Sequence, residues 1–176
     1  GVPVFLYASG WTFTMVGTFL ALWTIGYGLV QAAAPAVVKR SLDGLTQEVR
    51  AARLWSFGLA VIPAAIAAIL ASNSGLRPDL ILVAGLGLFG FAFAVNSSVH
   101  SYLILAYAGS EKAAEDVGFY YAANALGRFA GTLLSGLLYQ WGGIYACLIG
   151  SCLMLVACFL ATLALPGRDA LVPARS

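Results

Sequence analysis

Five stretches of this chain are each long and apolar enough to cross a bilayer, and no other feature constrains the fold so tightly. They cover residues 12–37, 54–72, 80–107, 117–140 and 144–165. A helix needs ~20 apolar residues to span the hydrocarbon. None of the runs alternates polar with apolar residues, and an open sheet edge cannot satisfy its backbone in lipid. The expected class is therefore an all-α integral membrane protein. Composition agrees, with 61% hydrophobic and 9% charged residues, against about 25% charged in a typical soluble domain. So few charges cannot cover a water-facing surface, and the lipid bilayer is the expected partner. The net charge of +2 is too small to point to nucleic acid. No basic segment precedes an apolar core at the start, so no signal peptide is read. The chain opens on Gly1, and it is expected to be a piece of a longer polypeptide.

Residues 1–7, GVPVFLY, read as the end of a truncated membrane helix. The breaks between the runs are KRSLDGLTQEVRAAR, SNSGLRPD, GSEKAAED and the glycine pair of WGG. Basic residues orient the spans, because Lys and Arg are enriched in cytoplasmic loops. Numbering the breaks alternately puts Lys39, Arg40, Arg50, Arg53, Lys112, Arg168 and Arg175 on one side and Arg77 alone on the other. The first side is expected to be cytoplasmic, and with it the tail at 166–176. Five complete spans and a truncated one point to a set of six, forming one bundle.

The spans differ in polarity. The first carries Thr24, Tyr27 and Gln31 at helical spacing on one face. The third carries Asn96, Ser97 and His100, and the fourth Tyr120, Asn124, Arg128 and Ser135. The second and fifth are plain, apart from Ser56 and a Pro63 expected to kink its helix. The pattern predicts three helices around a wet interior and two plain ones facing lipid.

Arg128 demands a reason. A guanidinium at mid-membrane costs about 2.5–3.5 kcal/mol on insertion scales. It lies about eleven residues, ~17 Å, from the cytoplasmic end of its run, too deep for easy snorkelling. Three roles compete. An ion pair needs an acid, and every acid from Asp43 to Asp169 falls in a break or at a helix end. Its partner would then lie outside this chain. A gating charge normally comes in series. An anion-binding group suits arginine best, because its planar fork donates two parallel hydrogen bonds to phosphate-like or carboxylate groups. A hairpin of the third and fourth spans centred on Lys112 would set Asn96 level with Arg128 and His100 level with Asn124. Alone, Asn96, Asn124 and His100 also read as hydrogen bonds between helices. Gly127, Gly131 and Ser135, four apart, form a seam of small residues that would let another backbone approach.

Enzyme chemistry finds no constellation. A serine protease would need Ser135 near His100, and the depth estimate separates them by roughly 15–17 Å along the bundle. An aspartyl protease needs two acids inside the membrane. Cys147, Cys152 and Cys158 point in different directions around one helix, so no metal site is read, and no cofactor.

The helix count, the inside C-terminus and the basic loop between the first two complete spans resemble the C-terminal half of a major facilitator superfamily transporter. That fold has two six-helix halves. The stretches GVPVFLY, FLALWTIGYGLVQAAAP, NSSVHSYLILAY and DVGFYYAANALGRFAGTLLSGLLYQWGG resemble, more narrowly, the organoarsenical efflux permeases of the ArsJ type. The likeness runs from Gly1 to about Leu165. It implies that the spans are the eighth to twelfth helices, with the plain ninth and twelfth peripheral. It implies a bacterial cytoplasmic membrane, an N-terminal six-helix half of the same polypeptide, and export of an arsenate ester of phosphoglycerate. A small, multiply charged anion suits a buried arginine. The binding residues rest on the physical argument: Arg128 for the anion, Asn96, Asn124 and His100 as further donors, Tyr27, Gln31 and Tyr120 as cavity lining. The alternative is a drug or sugar exporter of the same superfamily, favoured by interior aromatics Trp23, Tyr27, Tyr120 and Tyr121. A drug-cation exporter would want a buried acid, and this chain offers a buried base. A proton-coupled exporter also needs a proton carrier. His100, a group in the other half, or no carrier at all are the options, and the other half is preferred.

Overall fold

The structure is a computed structural model and describes residues 1–37, 46–72, 75–107 and 113–165. The described residues form five helices and no strand: α1 (Val2–Ala8), α2 (Phe13–Val37), α3 (Thr46–Ala71), α4 (Pro78–Tyr107) and α5 (Ala113–Leu163). The four long helices are apolar enough to cross a membrane, and they carry many outward-facing Leu, Ile, Phe and Val side chains. Lys39, Arg40, Lys112, Arg168, Arg175 and the tail at 166–176 lie outside the described residues.

α5 has 51 residues. At 1.5 Å per residue, one straight helix of that length would reach ~75 Å, more than twice the ~30 Å hydrocarbon thickness. It does not run straight. Helical geometry breaks at Gly142 and Gly143, where Gly143 has φ 61° and ψ −149°, a conformation open to glycine and strained for other residues. The arms, 113–141 and 144–163, fold back on one another. Cys147 Sγ donates to the Ser135 carbonyl at 3.4 Å, and Leu138 packs on Gly150. The turn lies at the glycine pair of WGG. A similar device joins α1 to α2 at Gly10, φ 92°.

α3 begins at Thr46, well before the apolar run at 54. The stretch expected as a polar break is helical in its second half. Backbone hydrogen bonding continues past the lipid edge, and Glu48 in the first turn suits the positive end of the helix dipole. Hydropathy marks where lipid ends, not where a helix does.

Two clusters fix the alternation of directions. At one end Leu6, Val16, Ile66, Leu82, Ile144 and Leu148 meet. These are α1, the start of α2, the end of α3, the start of α4 and the start of the second arm. At the other end Val49, Ala52, Val99 and Leu103 meet, with Leu165 against them. Polar clips hold both ends. Trp11 Nε1 donates to Asp79 Oδ2 at 2.9 Å, and Arg77 holds the same carboxylate at 2.7 Å, tying the α1–α2 connection to the start of α4. Arg77 lies before the helix, and this neighbour raises its pKa further, so it stays charged. Opposite, Arg53 Nη2 donates to the carbonyls of Leu163 and Leu165 at 3.1 and 3.3 Å, satisfying the end of the second arm. Arg77 and the described pair Arg50 and Arg53 thus sit at opposite ends.

The plain sequence of α3 marks close packing as well as lipid contact. α3 packs extensively on both α4 and α5, with Ala52, Ser56, Leu59, Ala60, Pro63 and Ile66 buried. Cys152 Sγ reaches the Ala60 carbonyl at 3.5 Å, and Phe57 meets Phe159. Lipid offers helices no hydrophobic drive to associate, so small residues that permit close contact do this work. Its other side, with Leu54, Phe57 and Val61, is exposed. The expectation that α3 would simply face lipid is therefore corrected.

Candidate functional site

Arg128 sits one residue from the midpoint of the first arm of α5. It is exposed toward a cavity of about 470 Å³ that Asn124, Tyr120, Ala123 and Gly127 line from the same arm. Phe93, Asn96, Ser97 and His100 line it from α4, Tyr27 from α2 and Cys158 from the second arm. Of the residues read as a site from sequence, six converge here: Arg128, Asn124, Asn96, His100, Tyr120 and Tyr27.

Gln31 is not on the wall. Its Nε2 donates to Ser97 Oγ at 3.4 Å, and Ser97 is on the wall. Gln31 thus braces the lining from behind. Asn96 is 7% exposed, and its Oδ1 accepts from Ser56 Oγ of α3 at 3.2 Å. Its carboxamide joins helices first and borders the cavity second. His100 Nδ1 lies 3.0 Å from the Asn96 carbonyl oxygen, one turn back. Asn124 and Tyr120 are half-buried, and Tyr120 and Ser101 bring their hydroxyls to 3.4 Å across α4 and the arm. Thr24, on the same face as Tyr27, donates to the Leu20 carbonyl of its own helix.

The expected hairpin of the third and fourth spans takes a looser form. α4 packs closely on α2 and α3 and only sparsely on α5. The cavity lies between them, lined from both sides, and the Ser101–Tyr120 pair makes a polar contact across it. The seam at Gly127 and Gly131 packs on nothing: a methyl added at either would meet no atom within 4 Å. Glycines that do admit a neighbour lie elsewhere. A methyl at Gly90 would come within 2.8 Å of Trp23 Nε1, and one at Gly85 would collide with Ile66.

The aromatic wall is closed on itself. Trp23 donates to the Leu86 carbonyl at 2.7 Å and stacks on Tyr27 at 6.0 Å. Tyr27 stacks on Phe93 at 5.7 Å, and Phe93 on Phe89 at 5.8 Å. Tyr27 therefore already has two ring partners within the protein. Tyr121 is 66% exposed and off the wall.

Among the described residues no carboxylate lines this cavity. Two acids are buried elsewhere, Glu48 at 2% and Asp79 at 4% exposed, both in the first turn of a helix. Both lie at helix ends, where the sequence reading put the acids. Ser135 lines two smaller cavities and not that of His100. Sequence reasoning missed Cys158, Phe93 and Ala123 as lining. No local signal marks them; Cys158 reaches the wall through the fold-back of α5.

Chemically, a fixed cation beside amide, hydroxyl and imidazole groups, in a cavity without acids, can hold a small anion. No protein family, no curated protein and no solved structure matches this chain.

Proposed function

We propose that this chain is the C-terminal six-helix half of a major facilitator superfamily transporter, and that it exports a small organic anion by alternating access. The substrate we infer is an arsenate ester of phosphoglycerate, so the transporter would confer arsenate resistance on a bacterium from its cytoplasmic membrane. The observation that carries the reading is Arg128, midway along an apolar helix arm, facing a cavity that no carboxylate among the described residues lines. Mid-membrane arginine without an acid at hand calls for an anion from outside the chain. In this fold the substrate site lies near the bilayer midplane between two halves that rock against each other. Asn124 and His100 supply further donors, and Tyr120 and Tyr27 supply hydroxyls. The C-terminal side is taken as cytoplasmic, because seven of the nine basic residues fall there. A drug exporter is the weaker reading, since Trp23 donates to the Leu86 carbonyl and both Trp23 and Tyr27 stack on rings of the protein itself.

The test places the full-length transporter in arsenate-sensitive cells that also express the dehydrogenase making the ester. Arg128→Lys and Arg128→Leu are compared with wild type at matched membrane abundance. Loss of resistance, more severe for leucine, is expected. Full resistance with leucine would refute the assignment.

A further inference from the structure

We propose that the first arm of α5 is a lever: held at the end where it meets Gly142 and Gly143, it pivots there and draws Arg128 toward α4 when an anion fills the cavity. The proposal rests on the anion-site reading above and adds to it which wall of the site moves.

The two walls are held differently. α4 packs on α2 and α3, and it has buried residues from one end to the other, among them Asp79, Leu82, Ala92, Val95, Val99 and Leu103. The first arm has none over residues 114–133, where only Val117, Tyr120 and Asn124 are even half-buried. Its firm contacts start at Ser135. There Cys147 Sγ donates to the Ser135 carbonyl, Leu138 packs on Gly150, and Tyr139 packs against the cluster of Leu6, Ile144 and Leu148. Toward the free end the Tyr120 and Ser101 hydroxyls approach to 3.4 Å, well beyond the ~2.7–2.8 Å usual for such a pair. So long a contact holds the tip weakly.

The held end is built to pivot. The three connections there each turn on a glycine with positive φ: Gly10 at 92°, Gly75 at 73° and Gly143 at 61°. The Trp11–Asp79–Arg77 clip closes the same end. At Gly142 and Gly143 the backbone leaves helical geometry, so a change in the angle between the arms is taken up there without unwinding either arm. Both positions need glycine. Gly143 needs it for its φ, and at Gly142 a methyl would lie 2.9 Å from Ala146 Cβ.

The chemistry gives the swing its direction. Tyr120, Asn124 and Arg128 are spaced by four and share the face of the arm that lines the cavity. On α4 the facing groups have hydrogens left to donate. Ser97 Oγ accepts from Gln31 Nε2, so its own hydrogen remains. Asn96 Oδ1 accepts from Ser56, which leaves its NH2 group. Ser97 is tied to α2 and Asn96 to α3, so α4 is the fixed wall and the arm the moving one. An anion on Arg128 gains these further hydrogen bonds only when the arm brings it up to α4. A ligand shifts a conformational equilibrium by the difference in its affinity for the two forms, and the hydrogen bonds from α4 are that difference.

The test uses purified full-length transporter with Cys147, Cys152 and Cys158 replaced by alanine, and phosphoglycerate as the probe. Spin labels go on two pairs of exposed positions, Leu105→Cys with Phe119→Cys near the free end and Leu80→Cys with Leu137→Cys near the turn. Distances are read by pulsed electron resonance with and without the anion, and binding by equilibrium dialysis. Phe119 lies ~35 Å along the arm from Gly142, and Leu137 ~8 Å. A pivot at the turn should therefore shorten the first pair about four times as much as the second when the anion binds. Arg128→Leu should show neither binding nor shortening. Phosphoglycerate that binds while the free-end distance stays fixed or lengthens overturns the lever, and so does an equal shift in both pairs. If Arg128→Leu still loses binding in those cases, the anion site stands and only the lever falls. If the Arg128 protein binds no phosphoglycerate, or Arg128→Leu binds it equally well, the anion site falls and the lever with it.

Discussion

Gly90 and Gly131 are the same residue on two helices that flank one interior, yet they do opposite things. Gly90 on α4 admits the indole of Trp23, and a methyl there would meet Nε1 at 2.8 Å. Gly131 on the first arm of α5 faces open space, and a methyl would touch nothing. The contrast extends to their surroundings. Around Gly90, α2, α3 and α4 interlock through Trp23, the ring ladder and the Ser56–Asn96 hydrogen bond. Around Gly131 the arm leaves Leu126, Arg128, Phe129 and Leu133 exposed. One region is built for packing, the other presents a surface. Mutations should therefore divide, costing stability on the first and function on the second.

The largest effect expected is at Arg128. Removing a charge that pairs with a desolvated ligand costs about 2–5 kcal/mol of binding. The same change should leave stability unaltered or improved, since a mid-membrane arginine is itself unfavourable by about 2.5–3.5 kcal/mol on insertion scales. Thermal unfolding in detergent and anion binding, measured on Arg128→Leu, should move in opposite directions. A fall in both would mean that Arg128 is part of the packing, and the contrast would be broken.

Gly90→Ala comes next. Overpacking a filled site costs typically about 1–3 kcal/mol. The melting temperature should drop while Arg128-dependent binding survives in the folded fraction. An unchanged melt would show that Trp23 can swing aside.

Ser56→Ala should cost less. It removes the donor to a buried amide oxygen between α3 and α4, and such hydrogen bonds in membranes average ~0.6 kcal/mol with a maximum near 1.7. A double-mutant cycle with Asn96→Ala would check it. Coupling indistinguishable from zero would remove Asn96 from the packed region and return it wholly to the cavity.

The sequence made the two regions only partly legible. Apolar runs located the helices, and the WGG pair located the turn inside α5, because lipid spanning and glycine conformation are local properties. Helical spacing placed Asn124 and Arg128 on one face with Tyr120, and the cavity contains all three. The role of α3 was hidden. Its plain sequence fits lipid or close packing equally well, since both want small apolar residues. The glycines were only partly legible for a related reason. Gly127 and Gly131 have the spacing of a contact seam, but spacing says nothing about whether another helix arrives. Gly85 and Gly90, without that spacing, are the ones occupied, by Ile66 and Trp23. Gln31 shares a face with Tyr27, and only the position of Ser97 shows that its amide is already engaged.

Gly131→Ala carries the smallest effect and sharpens the contrast most. Alanine is favoured over glycine inside a helix by about 1 kcal/mol, and at Gly131 no described atom opposes the added methyl. The substitution should leave the melting temperature of this chain unchanged or slightly raised. The same variant in the full-length transporter asks a different question. If the proposed second half closes on the first arm, the seam of Gly127, Gly131 and Ser135 is where its backbone would come near, and the methyl would then be felt. A stability gain in the isolated chain that turns into a loss in the full-length protein would identify the open face as a buried one in the complete transporter. A gain in both would leave the seam lining the cavity wall, with no helix packed on it.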